Sequence, residues 1–159
     1  MAATATMPAV GDQAPAFEGV SQTGETIRLA DLAGQKVVLY FYPKDDTPGC
    51  TKQACNLRDN YTALQAHGIA IIGVSADDTA SHQKFADKYS LPFPLLADTD
   101  RAILEAYGTW GERNMYGRKF MGIKRTTFLI SEDGTIKHVF KRPKVGAHTA
   151  EILTKFGLA

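Results

Sequence analysis

Lys36 to Tyr42 reads K-V-V-L-Y-F-Y, a nearly continuous apolar run of β-branched and aromatic residues that Pro43 closes. A run without polar alternation has no face to offer to water, so it predicts a central strand covered on both sides. A chain of 159 residues can supply that cover and bury a core without staples. Ile69 to Val74 repeats the pattern as a second buried strand. Between the two, residues 51–66 have helical periodicity, and Gly68 follows as a stop signal.

The rest of the chain fits around these strands. Val20 to Leu29 predicts two short strands about the turn at Thr23-Gly24. Residues 79–89 predict a helix, Leu95-Leu96 a short strand and 100–107 a short helix. Thr126 to Ile130 and Thr135 to Phe140 predict strands joined at Glu132-Asp133-Gly134, a hairpin signal. A last amphipathic helix carries Ile152, Leu153 and Phe156. Gly108 to Lys124 has four glycines and no period. It is expected to be an irregular loop that packs Trp110, Tyr116 and Phe120, with a contact surface for a reductant or second subunit as the lesser role. Residues 1–10 are expected to form a loose arm.

This order implies one α/β domain over residues 1–159. Parallel strands with crossover helices, then an antiparallel hairpin and a helix, make a thioredoxin-like fold. The expected core is a mixed sheet flanked by helices, with an N-terminal β-hairpin extension.

Charge and hydropathy exclude several classes. Eighteen basic residues against seventeen acidic ones leave a net charge of +1, with no footprint for nucleic acid or an anionic membrane. Lys141-Arg142-Pro143-Lys144 reads as a solvated turn. Met1 to Val10 lacks Lys and Arg and is not expected to form a signal peptide. No stretch approaches the ~18 apolar residues of a membrane span. A soluble, cytoplasmic protein is expected. In a reducing cytosol the two cysteines are not read as a permanent staple. Catalysis, redox sensing, metal binding and burial remain.

The informative segment is Pro43-Lys44-Asp45-Asp46-Thr47-Pro48-Gly49-Cys50-Thr51. It links the carboxyl end of the central strand to a helix, the end where reactive groups gather in α/β sheets. With Thr47 as N-cap, Pro48 takes the first helical position, and the Thr47 hydroxyl is expected to accept from an N–H two or three residues on. Cys50 then sits in the first turn, among unpaired N–H groups at the positive end of the helix dipole. Those conditions favour the thiolate, the nucleophilic form of cysteine. Cys50, Ala54, Leu57, Tyr61 and Leu64 share one helical face, turned to the core, and Cys55 points outward. Five helical residues rise ~7.5 Å, whereas a disulfide needs Cα atoms roughly 4.4–6.8 Å apart. A Cys50–Cys55 bond therefore requires the first turns to unwind. Thr-Pro-Gly is also an ordinary cap, and a buried-face cysteine is commonly inert packing. The residues alone leave both readings open.

Pro43-x-x-x-Thr47-x-x-Cys50 matches the peroxiredoxin active-site pattern, and Y-F-Y-P-K-D-D-T-P-G-C-T-K-Q-A-C-N-L-R-D resembles the bacterioferritin comigratory protein, or Q-type, branch. The likeness runs from Gly11-Asp12-Gln13-Ala14-Pro15 through Gly122-Ile123-Lys124-Arg125-Thr126-Thr127-Phe128-Leu129-Ile130. The resemblance implies a thiol peroxidase acting on hydrogen peroxide and organic hydroperoxides in antioxidant defence and redox homeostasis. By the same resemblance Cys50 is the peroxidatic cysteine, Thr47 contacts the peroxide, and Pro43 shields the site. Arg125 pairs with the thiolate and orients the peroxide, and Gly49 and Cys50 supply backbone N–H groups to the substrate. Cys55 is the resolving cysteine of an intramolecular disulfide, recycled by thioredoxin, with glutaredoxin as the alternative. Thr51 and Gln53 receive no catalytic role, and Arg58 is read as near the site or solvated. A monomer without cofactor is expected. A metal site is not expected, because His67, His82, His138 and His148 lack ligand spacing and Cys-x4-Cys departs from the common zinc pattern. The rivals are a disulfide oxidoreductase, which would want Cys-x-x-Cys, and a redox sensor or holdase that need not turn over.

Overall fold

The computed structural model describes residues 7–158. A five-stranded mixed sheet lies at its centre, built from β3 (Lys36–Phe41), β4 (Ile69–Ser75), β5 (Leu95–Ala97), β8 (Thr126–Ile130) and β9 (Ile136–Phe140). The spatial order is β5-β4-β3-β8-β9. β3 runs parallel to β4 and antiparallel to β8, so the apolar run at Lys36 is the middle strand. Its side chains alternate between two cores. Val38 and Tyr40, with Tyr42 beyond the strand end, join α1 (Pro48–Asp59), α2 (Tyr61–Ala66), α3 (Thr79–Tyr89) and α5 (His148–Lys155) on one face. Val37, Leu39 and Phe41 pack on the other against Ala14, Phe17 and α4 (Ala102–Ala106). Burial on both faces is the physical reason the run lacks polar alternation. Among the described residues, no helix is long and apolar enough to cross a membrane.

A hairpin of β1 (Glu18–Val20) and β2 (Thr26–Arg28) precedes the sheet and meets its edge through a bridge from Ser21 to Leu96. The single helix expected over 51–66 breaks at Asn60, which ends α1 and precedes α2. Of the arm expected to be loose at 1–10, residues 1–6 lie outside the described residues, while Met7 packs against the core and the Ala9 N–H donates to Asp12.

The segment 108–124 corrects the sequence reading. It is an ordered antiparallel hairpin of β6 (Trp110–Met115) and β7 (Arg118–Ile123), not an irregular loop. Of its aromatics Trp110 packs against the core as expected, whereas Tyr116 is 99% exposed at the turn and Phe120 is 40% exposed. Arg113 lies over the Phe120 ring and Arg101 over Trp110. Only the base of the hairpin, Trp110 and Ile123, meets the core; beyond it the strands are held by their own pairing and show no alternation to read.

On the far side of β8, His148 is enclosed between sheet and helix. Its Nδ1 faces Glu151 Oε1 at 2.6 Å, and the Thr127 hydroxyl faces its Nε2 at 2.9 Å. Burial suppresses protonation of His148 below the usual 6.5, the Glu151 carboxylate opposes this, and the Arg125 charge reinforces it. The folded chain therefore binds fewer protons here than the unfolded chain. Stability is fully present above about pH 6.5 and is lost as pH falls through the lower folded value. Urea midpoints taken from pH 8 down to about pH 5 should fall more steeply in the wild type than in His148→Gln. Equal slopes would contradict this assignment.

Candidate active site

Tyr42 to Thr47 carry the chain from the end of β3 into α1. Pro48 is the first residue of that helix, where its missing N–H leaves no bond unmade. The ladder begins with the Thr51 N–H donating to the Thr47 carbonyl at 2.8 Å. The N–H groups of Gly49 and Cys50 lie outside it, at the positive end of the helix. One expected detail fails: Thr47 has extended N-cap backbone, but its hydroxyl makes no cap. It donates instead to the Lys44 carbonyl at 2.9 Å. The tight turn at Asp45-Asp46, with Asp46 left-handed at φ 55, brings that carbonyl within reach. The Thr47 oxygen keeps its lone pairs as acceptors.

Cys50 is 1% exposed and shares its core with Tyr40, Ala54 and Leu57. Arg125, immediately before β8, reaches across the sheet end. Its Nη2 donates to Cys50 Sγ at 3.2 Å, and its Nη1 donates to Gln53 Oε1 at 2.7 Å. A guanidinium is always charged, so a fixed positive charge stands against the sulfur. Gln53 is fully buried, and its Nε2 and the Tyr40 hydroxyl are the two buried side-chain polar atoms without a partner among the described residues. Burial raises the Tyr40 phenol well above its usual 10.0, and the charge of Cys50 raises it further. Gly49 lies close under the guanidinium, where an added Cβ would stand 3.2 Å from Nη2.

The structure thus brings Cys50, Gly49 and Arg125 together, with Thr47 one turn before the sulfur and Pro43 half-buried at the head of the loop. Cys55 stands apart from this group. It is a free, partly exposed thiol on the flank of the same continuous helix. Arg58 faces away, donating to the Tyr89 carbonyl at 2.8 Å and to Asp59. Two contributors escaped the sequence reading. Gln53 orients Arg125, and its position three residues after Cys50 on the same helical face was the available signal. Asp45 is buried and meets His82, 37 residues away, a contact without any local signature.

The chain matches the AhpC/TSA family over residues 10–139. It is 46% identical over 143 residues to Peroxiredoxin Bcp of Escherichia coli K12, covering 90% of this chain and 92% of that protein. It is 43% identical over 144 residues to Peroxiredoxin Bcp of Bacillus subtilis, covering 91% and 92%. Among solved structures it resembles a Cys-to-Ser mutant of PrxQ from Xylella fastidiosa, with TM-score 0.89, 30% identity and coverage of 96% and 97%. It also resembles the Xanthomonas campestris bacterioferritin comigratory protein, studied for alkyl peroxide reduction, with TM-score 0.84, 33% identity and the same coverage. The fold is the thioredoxin-like fold of thiol peroxidases. The chain belongs to the AhpC/TSA family, in its Bcp/PrxQ peroxiredoxin branch.

Because Arg125 is already held by Gln53 and Cys50, a methyl group at position 49, 3.2 Å from Nη2, must shift the guanidinium by a few tenths of an ångström. Gly49→Ala should slow the reaction of Cys50 with hydrogen peroxide by roughly tenfold, since a ~1 Å misplacement at a reacting centre can cost ~100-fold. Stopped-flow tryptophan fluorescence would measure it, and an unchanged rate would show that the guanidinium position is immaterial.

Proposed function

We propose that this peroxiredoxin reduces hydrogen peroxide and organic hydroperoxides with Cys50 as the attacking thiolate. The observation that carries the reading is the 3.2 Å contact between Arg125 Nη2 and Cys50 Sγ at the mouth of a helix N-terminus. The Cys50 sulfur attacks the nearer peroxide oxygen. An S–O bond forms, the O–O bond breaks, and the departing alkoxide takes a proton to leave as an alcohol or water. Negative charge moves from sulfur to that leaving oxygen. Arg125 and the N–H groups of Gly49 and Cys50 are fixed donors aimed at this charge, which is how such sites lower a barrier. The Thr47 oxygen accepts from the peroxide O–H, its own hydrogen being engaged by Lys44. Pro43 covers the loop side of the site.

Cys50 is then a sulfenic acid. The Cys55 sulfur attacks it, a disulfide forms, and the oxygen departs as water. Both cysteines lie in one helix, Pro48–Asp59, so its first two turns must open. Losing about four helical hydrogen bonds opposes this by roughly 2–6 kcal/mol. The reduced enzyme therefore stays folded, and the opened form gains population only once a sulfenic acid is available to trap. A dithiol protein of thioredoxin type supplies two electrons and closes the cycle, with glutaredoxin as the alternative. The chain works as a monomer in the cytoplasm.

Cys50→Ser should abolish peroxide consumption. Cys55→Ser should consume one equivalent of peroxide at the wild-type rate and then stall with thioredoxin and its reductase. Mass analysis after one equivalent should show a Cys50–Cys55 bond in the wild type and a sulfenic acid in Cys55→Ser. Turnover of Cys50→Ser, or wild-type turnover of Cys55→Ser, would refute the respective role.

A further inference from the structure

Asp45 is a buried carboxylate in the active-site loop, and the chemistry above does not use it. Its oxygens are fully engaged. Oδ1 accepts the Tyr42 hydroxyl at 2.6 Å, and Oδ2 accepts the Ser81 hydroxyl at 2.8 Å and faces His82 Nδ1 at 2.7 Å. The Asp45 N–H donates to Asp77 Oδ2 at 2.9 Å, and the Ser75 hydroxyl donates to that same oxygen at 2.7 Å. Asp45, Asp77 and His82 bring ligand-type atoms within 4.8 Å of one another. Every one of those atoms already has a protein partner, which makes the group a hydrogen-bonded knot.

His82 closes the knot from α3. Its Nε2 lies 2.9 Å from the Leu96 carbonyl, which can only accept, so Nε2 carries hydrogen. Its Nδ1 lies 2.7 Å from Asp45 Oδ2, with one hydrogen between them, and 3.4 Å from the Tyr42 hydroxyl. The side chains of His82 and Asp45 are 0% and 4% exposed. Removing either leaves a buried polar group without its partner.

We propose that His82 is a positioning residue for the peroxidatic site, holding the loop before Cys50 in place through Asp45. The knot joins that loop to the end of β4, the start of α3 and β5. A second, exposed clasp reinforces it, with Lys88 Nζ and the Tyr89 hydroxyl donating to the strained Asp46 at 2.8 and 2.9 Å. Downstream of Cys55, α1 is fastened again: Asn56 accepts from the Thr149 N–H at 2.8 Å and donates to the Gly146 carbonyl at 3.2 Å. Between these fastenings lie Thr47 to Cys55, the segment that carries both cysteines. The loop thus stays fixed while the helix opens, and Thr47 and the free N–H groups return to register on refolding. His82 is set to govern attack on peroxide, not the later closure of the disulfide.

This proposal rests on Cys50 as the attacking thiol, and single-turnover kinetics separate the two. Wild type that forms no sulfenic acid would sink the Cys50 reading itself. With wild type active, His82→Gln and Asp45→Asn should react with hydrogen peroxide at least roughly tenfold more slowly. Disulfide formation from the sulfenic acid should change less than about twofold. Unchanged attack, or both steps falling by the same factor, would overturn the proposal. Nitrogen-15 spectra of ring-labelled wild type give a check that needs no variant. His82 should show an Nε2 N–H and an Nδ1 in a strong hydrogen bond, and an Nδ1 without one would overturn the link to Asp45.

Discussion

The geometry of the site hangs on one charge-to-sulfur contact, Arg125 Nη2 to Cys50 Sγ at 3.2 Å. Neither residue can make it alone. Cys50 is delivered by the first turn of α1, and Arg125 by the chain entering β8. β8 lies beside β3 with Phe41 opposite Thr126, so the end of β3 and the beginning of β8 meet at one edge of the sheet. Antiparallel pairing at this place turns 75 residues of sequence separation into a hydrogen bond. Gln53, one helical turn beyond Cys50, fixes the other branch of the fork. Gly49 leaves the room for it.

A second constraint pulls the other way. The helix that presents Cys50 also contains Cys55, and a straight helix keeps them too far apart to bond. On the proposed cycle the site takes two arrangements, one that meets peroxide and one that closes a disulfide. The fold divides these demands by position. Residues flanking the helix segment are tied down by Asp45, Asp46 and Asn56. The residues between are held by the helix's own ladder, by burial of Cys50, Gln53 and Ala54, and by Arg125, so opening the helix breaks those contacts too.

Much of the fold was legible because it followed local periodicity. The K-V-V-L-Y-F-Y run, the helix at 79–89 and the hairpin around Glu132-Asp133-Gly134 all appear where their patterns placed them. The hairpin at 110–123 was not legible, because Tyr116 and Phe120 face outward and only its base, at Trp110 and Ile123, meets the core. The Thr47 side-chain cap was a sound local expectation, yet a nearer carbonyl took the hydroxyl. Cys50 and Cys55 could be placed on opposite sides of a helix from spacing alone. Gln53 could have been placed beside Cys50 by the same spacing.

The sequence by itself determined the central strand, the proline-capped helix start and the position of Cys50 in its first turn. These depend on propensities and spacings within a few residues. Tertiary structure decided which charges surround the sulfur. Arg125 reaches Cys50 across the sheet, and His82 reaches Asp45 from another helix, at separations of 75 and 37 residues. Contacts at such range arise from strand order and packing, and no local pattern encodes them. The same is true of the disulfide question: spacing says that a Cys50–Cys55 bond requires the helix to open, and the fastenings at Asp45, Asp46 and Asn56 bound the segment between them.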